Sequence, residues 1–413
     1  MSKPTILLKS GWNRYNFGDI AHTPGFLRLA QRYLPEAHII VWASSYPEWL
    51  TGYLLERFPE IEVVSGHLGQ EGEPATPELD DAYNRADLFI FNSGPIFNYG
   101  HEIVDGEIVR EGWRSYNWNP TVGTLIPLLY AKSKGVPFGI FAQSFIFMAH
   151  PGNMLIENVL SQAAFISTRE SDSLRYIKSL GFSAPDMGFT PDAAWGMDLY
   201  DDDAVLPWLA KHNLEPGQFL AMTTRNVPRG IAEERDASCQ RELWAAVTRT
   251  WLEETDMPIV LVPETQRSIE LNKELIAGVV PDEYADRVVI DDSLWGDPTE
   301  FWIPDQANSL LSRAFAYVNM DHHGALQALA AGIPTLHPHQ PQAGRKNYIY
   351  RDLNLSDWLF DAYQADAPRG TAQALSAIIK DRDGAVSKAK AAAERVRDLQ
   401  KQRFDAIRKL ILT

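Results

Sequence analysis

Two adjacent histidines and an aspartate form the densest group of potentially catalytic side chains in this sequence. Asp321, His322 and His323 follow an apolar stretch and precede a run of small residues that begins at Gly324. This pattern predicts a strand, a polar junction and a helix. In open α/β sheets such a junction faces the ligand crevice, and the N–H groups of the helix start favour anions. The alternative is that Asp321 caps the helix and that both histidines are solvated.

Repeated strand-then-helix patterns predict the elements that position this group. Predicted strands of the second half end in polar residues, among them Arg225 and Glu264. Because parallel strands place their carboxyl ends on one edge of a sheet, we expect these side chains to share a cleft. The pattern predicts an α/β fold with two doubly wound domains, at residues 1–205 and 206–385, that face each other across a cleft. We expect a C-terminal helix at residues 386–413 to pack back on the first domain.

Composition and charge restrict the class of protein. The chain has 413 residues, 45% of them hydrophobic, which is enough for two cores. Its formal net charge of −16 disfavours a nucleic-acid partner. The single cysteine, Cys239, rules out an internal disulfide and a thiolate-rich metal site. The sequence shows neither an export segment nor a membrane span, so we expect a cytoplasmic protein, and a homo-oligomer is compatible with all of these features.

Six short motifs occur in a fixed order along the chain. They are Asn16-Phe17-Gly18-Asp19, Asn92-Ser93-Gly94-Pro95, Gln143-Ser144 at a strand end, Arg169-Glu170-Ser171-Asp172-Ser173, Pro191-Asp192-Ala193-Ala194, and His323 before Gly332-Ile333-Pro334. Together they resemble the polysaccharide pyruvyltransferase family over most of the chain. The resemblance implies two Rossmann-like domains in a GT-B-like arrangement, with the acceptor on the first and the donor on the second. It implies transfer of a pyruvyl group from phosphoenolpyruvate, as a ketal, onto a sugar of a surface polysaccharide or its precursor. No metal or other cofactor is expected.

One position departs from the family pattern and directs attention to other cations. Relatives carry an arginine where this sequence has Asp321, and that arginine would hold the anionic donor. Arg225 matches a family arginine at a strand end, Arg229 follows in the same loop, and Lys346 falls close to a family lysine. Guanidinium groups suit carboxylate and phosphate because their donors match two oxygens at once. The alternatives are a surface ion pair for Arg225 and a solvated turn for Lys346. The predicted donor-binding residues are Arg225, Arg229, His322, Gly324 and Lys346.

The first domain offers candidates for the acceptor side. Asp19 either caps a helix that begins at Ile20 or faces the cleft, where with Asn16 it would orient or deprotonate a sugar hydroxyl. Aromatic residues of the loop 99–119, such as Trp113, either stack on sugar rings or anchor the loop in the core. The predicted acceptor-binding residues are Asn16, Asn92, Gln143 and Trp113.

The donor's chemistry suggests roles for the catalytic candidates. Protonation of the methylene carbon of phosphoenolpyruvate allows a sugar hydroxyl to attack the neighbouring carbon, and this requires an acid and a base. His323 suits the acid–base role, His322 or Asp321 would orient it, and Asp19 is the third predicted catalytic residue. Two alternatives stay open. One is a glycosyltransferase that uses a nucleotide sugar, with Glu264 or the Asp291-Asp292 pair holding the ribose; the other is a glycan-binding relative without catalytic activity.

Overall fold

The computed structural model describes residues 3–10, 16–43, 46–69, 74–104, 107–110, 117–225, 232–265, 268–291 and 303–412. These residues form two parallel β-sheets with helices on both faces of each sheet. The predicted α/β class with two Rossmann-like units is therefore confirmed. Strands and helices are numbered here in chain order.

The first sheet belongs to the N-terminal half of the chain. The elements of this half are β1 (Thr5–Ser10), α1 (Phe17–Tyr33), β2 (His38–Trp42), α2 (Glu48–Arg57), β3 (Glu62–Val64), α3 (Pro77–Arg85), β4 (Leu88–Gly94), β5 (Glu102–Val104), β6 (Glu107–Arg110), α4 (Trp118–Ser133), β7 (Phe138–Gln143), α5 (Gly152–Leu160), β8 (Phe165–Thr168), α6 (Ser171–Ser179) and β9 (Met187–Phe189). Within the described residues, seven strands pair in parallel in the order β3-β2-β1-β4-β7-β8-β9, and β5 and β6 form a separate antiparallel hairpin. The hairpin lies inside the loop 99–119, whose aromatic residues we considered as possible stacking partners for sugar rings.

The second sheet is built from the C-terminal half. Its elements are α7 (Asp202–Lys211), β10 (Leu220–Thr223), α8 (Glu233–Glu254), β11 (Ile259–Leu261), α9 (Ser268–Ala277), β12 (Val288–Val289), α10 (Pro304–Leu311), β13 (Ala316–Asn319), α11 (His322–Ala330), β14 (Thr335–His339), α12 (Ile349–Asp352), β15 (Leu359–Asp361), α13 (Ala367–Lys380) and α14 (Arg382–Leu412). Six strands of the described chain pair in parallel in the order β12-β11-β10-β13-β14-β15. The carboxyl ends of β10, β11 and β13 thus lie side by side, which brings the residues that follow them together.

Alternate residues of the central strands pack on opposite faces of each sheet. In β1, Leu7 packs in one apolar cluster while Ile6 and Leu8 pack in another. In β10, Leu220 and Ala221 likewise belong to different clusters. Side chains of a strand alternate between its two faces, so both faces of both sheets are covered by apolar residues. This burial explains why the strands read as continuous apolar runs in the sequence.

Helix α14 packs against both halves of the molecule. Its residue Val396 lies in an apolar cluster of the second half, whereas Phe404 packs on Phe26 with the two ring centroids 5.4 Å apart. Near its end, Arg408 pairs with Glu36 of the first half at 2.6 Å. Among the described residues, no helix is both long and apolar enough to cross a membrane.

The start of α1 and the start of α11 are in direct contact. A Cβ atom added to Gly18 would lie 2.1 Å from the Cβ of His323, a distance that real carbon atoms do not reach. The backbone N–H of Phe17 donates to the carbonyl oxygen of Glu264 at 3.3 Å. A side chain at position 18 would therefore push the two halves apart at the point where the predicted catalytic residues lie.

We expect Gly18→Ala to lower the free energy of unfolding by about 1–3 kcal/mol, because overpacking forces neighbouring atoms to shift. Gly52→Ala is the matched control, since no atom lies within 4 Å of the added Cβ there. Gly52 lies in α2, where alanine should stabilise by about 0.5–1 kcal/mol. Urea unfolding of both variants measures the two effects, and equal stability of Gly18→Ala and the wild type would show that this contact does not constrain the fold.

Candidate functional site

Asp321 begins the helix that carries the two predicted histidines. Its side chain accepts the N–H of His322 at 3.1 Å, and its own N–H donates to Asn319 at 2.6 Å. The helix therefore begins at His322, two residues before the small-residue run that starts at Gly324. Both histidines are almost fully buried, with exposures of 1% for His322 and 4% for His323, so the alternative of two solvated histidines is wrong.

A carboxylate of the chain itself occupies the start of α11. Glu264, which follows β11, accepts the N–H of His323 at 3.3 Å and that of Gly324 at 2.9 Å. We expected these N–H groups to be open to an anionic donor, and this expectation about Gly324 does not hold. The physical reason is that the free N–H groups of a helix start need acceptor oxygens, and the Glu264 side chain supplies them here.

His323 of the second half meets His22 of the first. Their Nε2 atoms are 2.9 Å apart, and the two rings are perpendicular with centroids 4.7 Å apart. His22 lies in α1, three residues after Asp19, so both face the same side of that helix. Sequence reasoning did not select His22, although this helical spacing from a predicted catalytic aspartate could have identified it.

A buried chain of polar groups continues from His22 into the first half. The His22 Nε2 atom is 3.6 Å from Asp192, which accepts from the Arg169 guanidinium at 2.6 Å. Arg169 also donates to Ser144 at 2.6 Å. Burial alone would raise the pKa of Asp192, but His22 and Arg169 outweigh burial and lower it. Asp192 is therefore an ionised carboxylate next to the histidine pair.

Asp19 lies beside His323 but does not cap α1. The cap is Asn16, whose side-chain oxygen accepts the N–H groups of Gly18 at 2.8 Å and Asp19 at 3.1 Å. The carboxylate of Asp19 lies 3.8 Å from the His323 Nδ1 atom, with 27% of its side chain exposed. Burial raises the pKa of Asp19 above its usual range, and His22 and Lys346 partly oppose this rise. We refer to Asp19, His22, His322 and His323 as the histidine cluster.

Two of the predicted cations border the histidine cluster. Arg225 lies 3.6 Å from Asp321, and its Nη1 atom is buried without a hydrogen-bond partner among the described residues. Lys346 is 6% exposed, and its charge influences Asp19, Asp321 and His323. Burial, reinforced by Arg225, lowers the pKa of Lys346 to about 8. The alternative of a solvated turn for this lysine is therefore wrong.

The loop that carries Lys346 is tied to the first half. Arg345 donates to the carbonyl oxygen of Phe145 at 2.9 Å, pairs with Asp172 at 2.8 Å, and lies over the ring of Tyr176. These contacts hold a segment of the second half against α6. They explain why the neighbouring Lys346 is directed towards the interior.

Burial sets the protonation of the imidazoles and of Glu264. It lowers the pKa of His322 and of His323 well below the usual histidine value, and the nearby positive groups add to the effect. Burial, with the charge of Asp321, raises the pKa of Glu264 well above the usual carboxyl value. Asp321 remains ionised because Arg225 and Lys346 outweigh its burial and lower its pKa. We expected His323 to titrate near the working pH, and the structure instead keeps it neutral there.

The predicted acceptor residues differ in how far they are engaged. Asn92 donates to Ser10 at 2.9 Å and to the carbonyl oxygen of His22 at 3.1 Å. Gln143 is fully buried at the end of β7, and neither atom of its amide has a partner among the described residues. Arg229 and Trp113 lie outside the described residues.

Part of the histidine cluster has the composition of a metal site. Asp19, His22 and His323 each offer a ligand atom, and these atoms lie within 4.8 Å of one another. Three protein ligands with an open position are typical of catalytic metal centres. In the structure, the Nε2 atoms of His22 and His323 instead contact each other directly at 2.9 Å. A metal ion bound by both atoms would have to push them apart, so metal binding and this hydrogen bond exclude each other.

The matched family decides how this geometry is interpreted. The family model described as "Polysaccharide pyruvyl transferase" matches residues 16–337, which include every residue of the histidine cluster. The chain belongs to the polysaccharide pyruvyl transferase family. This is an enzyme family, so the residues at the seam between the two sheets belong to a pyruvyl transferase of polysaccharides. A comparison with curated proteins found no match.

Solved structures share the fold of this pyruvyl transferase. Anabaena HepE in complex with UDP and glucose is 11% identical with a TM-score of 0.59, covering 98% of this chain and 100% of that chain. S. aureus MnaA with UDP is 13% identical with a TM-score of 0.54, covering 95% and 94% of the two chains. Medicago truncatula UGT71G1 with UDP-glucose is 9% identical with a TM-score of 0.57, covering 99% and 98%. These similarities establish the GT-B-like arrangement of two Rossmann-like domains.

The acidic residues that a nucleotide-sugar enzyme would need for the ribose are engaged elsewhere. Glu264 accepts two N–H groups of α11, and Asp291 pairs with Lys211 at 2.7 Å and His212 at 2.6 Å. Asp292 lies outside the described residues. Among the described residues, the two acidic side chains that we considered as ribose ligands of a glycosyltransferase, Glu264 and Asp291, are therefore engaged in contacts within the protein.

The buried pair between Asp192 and Arg169 gives a stability prediction. Asp192→Asn should lower the free energy of unfolding by about 3–5 kcal/mol, because it leaves the Arg169 charge buried without its partner. Asp357→Asn removes a surface pair with Lys388 and should change stability little. Chemical denaturation of the two variants provides the comparison, and a loss for Asp192→Asn no larger than that for Asp357→Asn would contradict the assigned charge state.

Proposed function

We propose that this pyruvyl transferase moves the pyruvyl group of phosphoenolpyruvate onto two hydroxyls of a sugar in a surface polysaccharide or its precursor. The observation that carries the proposal is the meeting of buried imidazoles, carboxyls whose pKa is raised by burial, and two cations where the two halves touch. Membership of the family supplies the reaction class. The donor and the acceptor are the parts that we propose here.

The cations next to the histidine cluster suit the donor. Phosphoenolpyruvate carries a carboxylate and a phosphate, and Arg225 and Lys346 are the predicted donor cations at the site. The Nη1 atom of Arg225 has no partner among the described residues, so it can donate to a ligand without losing an existing bond. His322, whose two ring nitrogens also lack partners within the described chain, can donate one further hydrogen bond. The start of α11 at Gly324 is left out of the donor site because Glu264 already occupies it.

The directions in which burial shifts the pKa values of Asp19 and His323 suggest which group acts as the acid and which as the base. A raised pKa lets a carboxyl hold a proton to higher pH than an ordinary aspartate does, and Asp19 is the partly exposed one, so we assign it as the acid that protonates the methylene carbon. His323 is neutral and can accept a proton from the attacking hydroxyl. Glu264 faces its Nδ1 atom at 3.4 Å, so we place the hydrogen of His323 on Nδ1. The Nε2 atom of His323 then accepts from His22 at 2.9 Å, and the attacking hydroxyl takes the place of that hydrogen bond.

In this proposal the pyruvyl transfer proceeds in four steps. Asp19 gives its proton to the methylene carbon, which becomes a methyl group and leaves a cationic centre on the adjacent carbon. The first sugar hydroxyl attacks that carbon and its proton passes to His323. The positive charge that forms is shared with His22 and stabilised by Asp192, which lies 3.6 Å from the His22 Nε2 atom. Phosphate departs with the proton that His323 had accepted, and the second hydroxyl closes the ketal while its proton passes to the carboxylate of Asp19.

The acceptor side is assigned to the first half. Gln143 and Asn92 lie at the carboxyl ends of the adjacent strands β7 and β4. The amide of Gln143 and the oxygen of the Asn92 amide have no partners among the described residues, so both can bind sugar hydroxyls. Asn16 contributes by holding the start of α1, and with it Asp19, in position.

Phosphate release from phosphoenolpyruvate, measured with and without candidate saccharides, tests the function. We expect His323→Ala to lower turnover by about two to four orders of magnitude, the usual contribution of a general base. His38→Ala is the control, since His38 is the first residue of β2, at the amino end of the first sheet, and its contact is a partly exposed pair with Glu62 of β3. Arg225→Ala should mainly raise the KM for phosphoenolpyruvate. Unchanged turnover in His323→Ala would remove the base assignment, and release of no phosphate with any saccharide would favour the non-catalytic relative.

The pH dependence of donor use tests Lys346 separately. Because its pKa is lowered to about 8, Lys346 is charged below that pH and loses its charge above it. The kcat/KM for phosphoenolpyruvate should therefore fall as the pH rises through about 8. Lys346→Met should have a lower kcat/KM without this alkaline decline, and Lys401→Met on the surface of α14 should behave as the wild type does. An unchanged alkaline decline in Lys346→Met would show that another group causes it.

A further inference from the structure

The solvent side of α4 carries a row of large apolar side chains. With exposed fractions between 37% and 44%, they are Trp118, Val122, Ile126 and Leu129. Positions that are three or four residues apart lie on one face of a helix, so the four side chains form a continuous stripe. The opposite side of α4 packs in the apolar cluster of the first half through Leu125 and Leu128. A helix that is apolar on both sides is typical of a helix that is covered on both sides.

The stripe continues onto the neighbouring helix α5. Met154 of α5 is 59% exposed. Tyr99 connects the two helices, because its ring centroid lies 4.6 Å from that of Trp118 and a Cβ added to Gly152 would lie 2.3 Å from its ring. Of the eleven exposed large apolar side chains within the described residues, five belong to α4 and α5. We call these five the apolar face: Trp118, Val122, Ile126, Leu129 and Met154.

The charges of this region favour a protein surface as the partner of the apolar face. The chain has 54 Asp and Glu residues, but none of them lies within residues 117–156. Two copies of a chain with a net charge of −16 repel each other, and this segment adds no carboxylate to a contact between them. A helix that binds anionic lipid is rich in Lys and Arg, whereas this segment has only Lys132 and Lys134. Lys134 is already paired with Asp80 at 2.5 Å.

The size of the apolar face matches one side of a protein interface. At roughly 200 Å² for a large side chain, the exposed fractions of its five members correspond to about 400 Å² of apolar surface. Each partner of a standard interface buries about 800 Å², of which somewhat more than half is apolar. The apolar face therefore supplies most of the apolar area that a stable pair of proteins requires.

We propose that the apolar face joins two copies of this chain in a symmetric dimer. A two-fold axis that passes between Val122 and Ile126 places the two α4 helices antiparallel. Val122 then lies opposite Ile126 of the partner subunit, and Trp118 lies opposite the partner subunit's Leu129. In a two-fold interface every contact occurs twice, and a row of apolar side chains centred on the axis meets this requirement.

The mass of the full chain in solution tests the proposal. Sedimentation velocity should show a species of twice the chain mass of 46.5 kDa. Leu129→Glu places a charge without a partner in the interface and should raise the dimer dissociation constant at least about a hundredfold. Leu55→Glu is the matched control, because Leu55 of α2 is 41% exposed and lies outside the apolar face. Its dissociation constant should equal that of the wild type, and near-ultraviolet circular dichroism verifies that each variant is folded.

A charge pair tests the antiparallel arrangement of the two helices. Val122→Glu alone and Ile126→Lys alone should each dissociate the dimer as Leu129→Glu does. When both changes are made in one chain, each new charge faces the opposite charge on the partner subunit, so the dissociation constant should fall at least about tenfold below that of either single variant. A double variant as weak as the single variants would overturn the two-fold packing of α4.

Other occupants of the apolar face give other results. A chain that stays monomeric at its highest soluble concentration, or a dimer that Leu129→Glu leaves intact, would overturn the proposal. A monomer that binds phosphatidylglycerol vesicles, and loses this binding in Leu129→Glu but not in Leu55→Glu, would assign the face to a lipid surface instead. These measurements report mass and vesicle binding rather than turnover, so they do not depend on the proposed reaction.

Discussion

The contact between the first turn of α1 and the first turn of α11 is the constraint on which the site depends. Gly18 leaves no room for a side chain next to His323, and this close approach brings the Nε2 atoms of His22 and His323 to 2.9 Å. Each helix follows a central strand of its own sheet, so the contact joins the carboxyl edges of both sheets. Candidate catalytic groups from the two sheets come within hydrogen-bond distance only because their backbones meet here.

Burial then determines what these groups can do. Removing charge from water favours the neutral form, so burial lowers the pKa of the imidazoles and raises the pKa of the Asp19 and Glu264 carboxyls. Asp192 and Asp321 have lowered pKa values because each lies next to an arginine. The opposite shifts bring the proton affinities of the imidazoles and of the Asp19 and Glu264 carboxyls closer together, and the positive charges of Arg225 and Lys346 lie beside them.

Asp321 stands where the family resemblance led us to expect an arginine, and its contacts differ from those expected of a donor-binding residue. Asp321 caps α11 and pairs with Arg225, so it fixes a guanidinium at the donor side instead of supplying one. Glu264 fills the start of α11, which sequence reasoning had reserved for the anion. The donor must then be held by side chains rather than by the helix start, and Lys346 becomes more important than its position in a polar turn suggested.

The sequence by itself determined the α/β class, the pairing of strands with covering helices, and the position of most catalytic candidates. It could do so because strand ends and helix starts are local features, visible as apolar runs followed by polar residues. The same local features misassigned the cap of α1 to Asp19, since Asn16 and Asp19 are both good capping residues and only the backbone distinguishes them.

The tertiary structure decided which of these side chains meet and in which charge state. The residues that gather around His323 are distant in sequence: the separation is 301 residues for His22, 131 for Asp192, 154 for Arg169 and 59 for Glu264. Their residue types alone do not show that they converge. The pKa directions follow from burial and from neighbours across the seam, which are properties of the packed molecule. A pattern along the chain specifies what each element can offer, but the distance between two elements exists only once both have folded against each other.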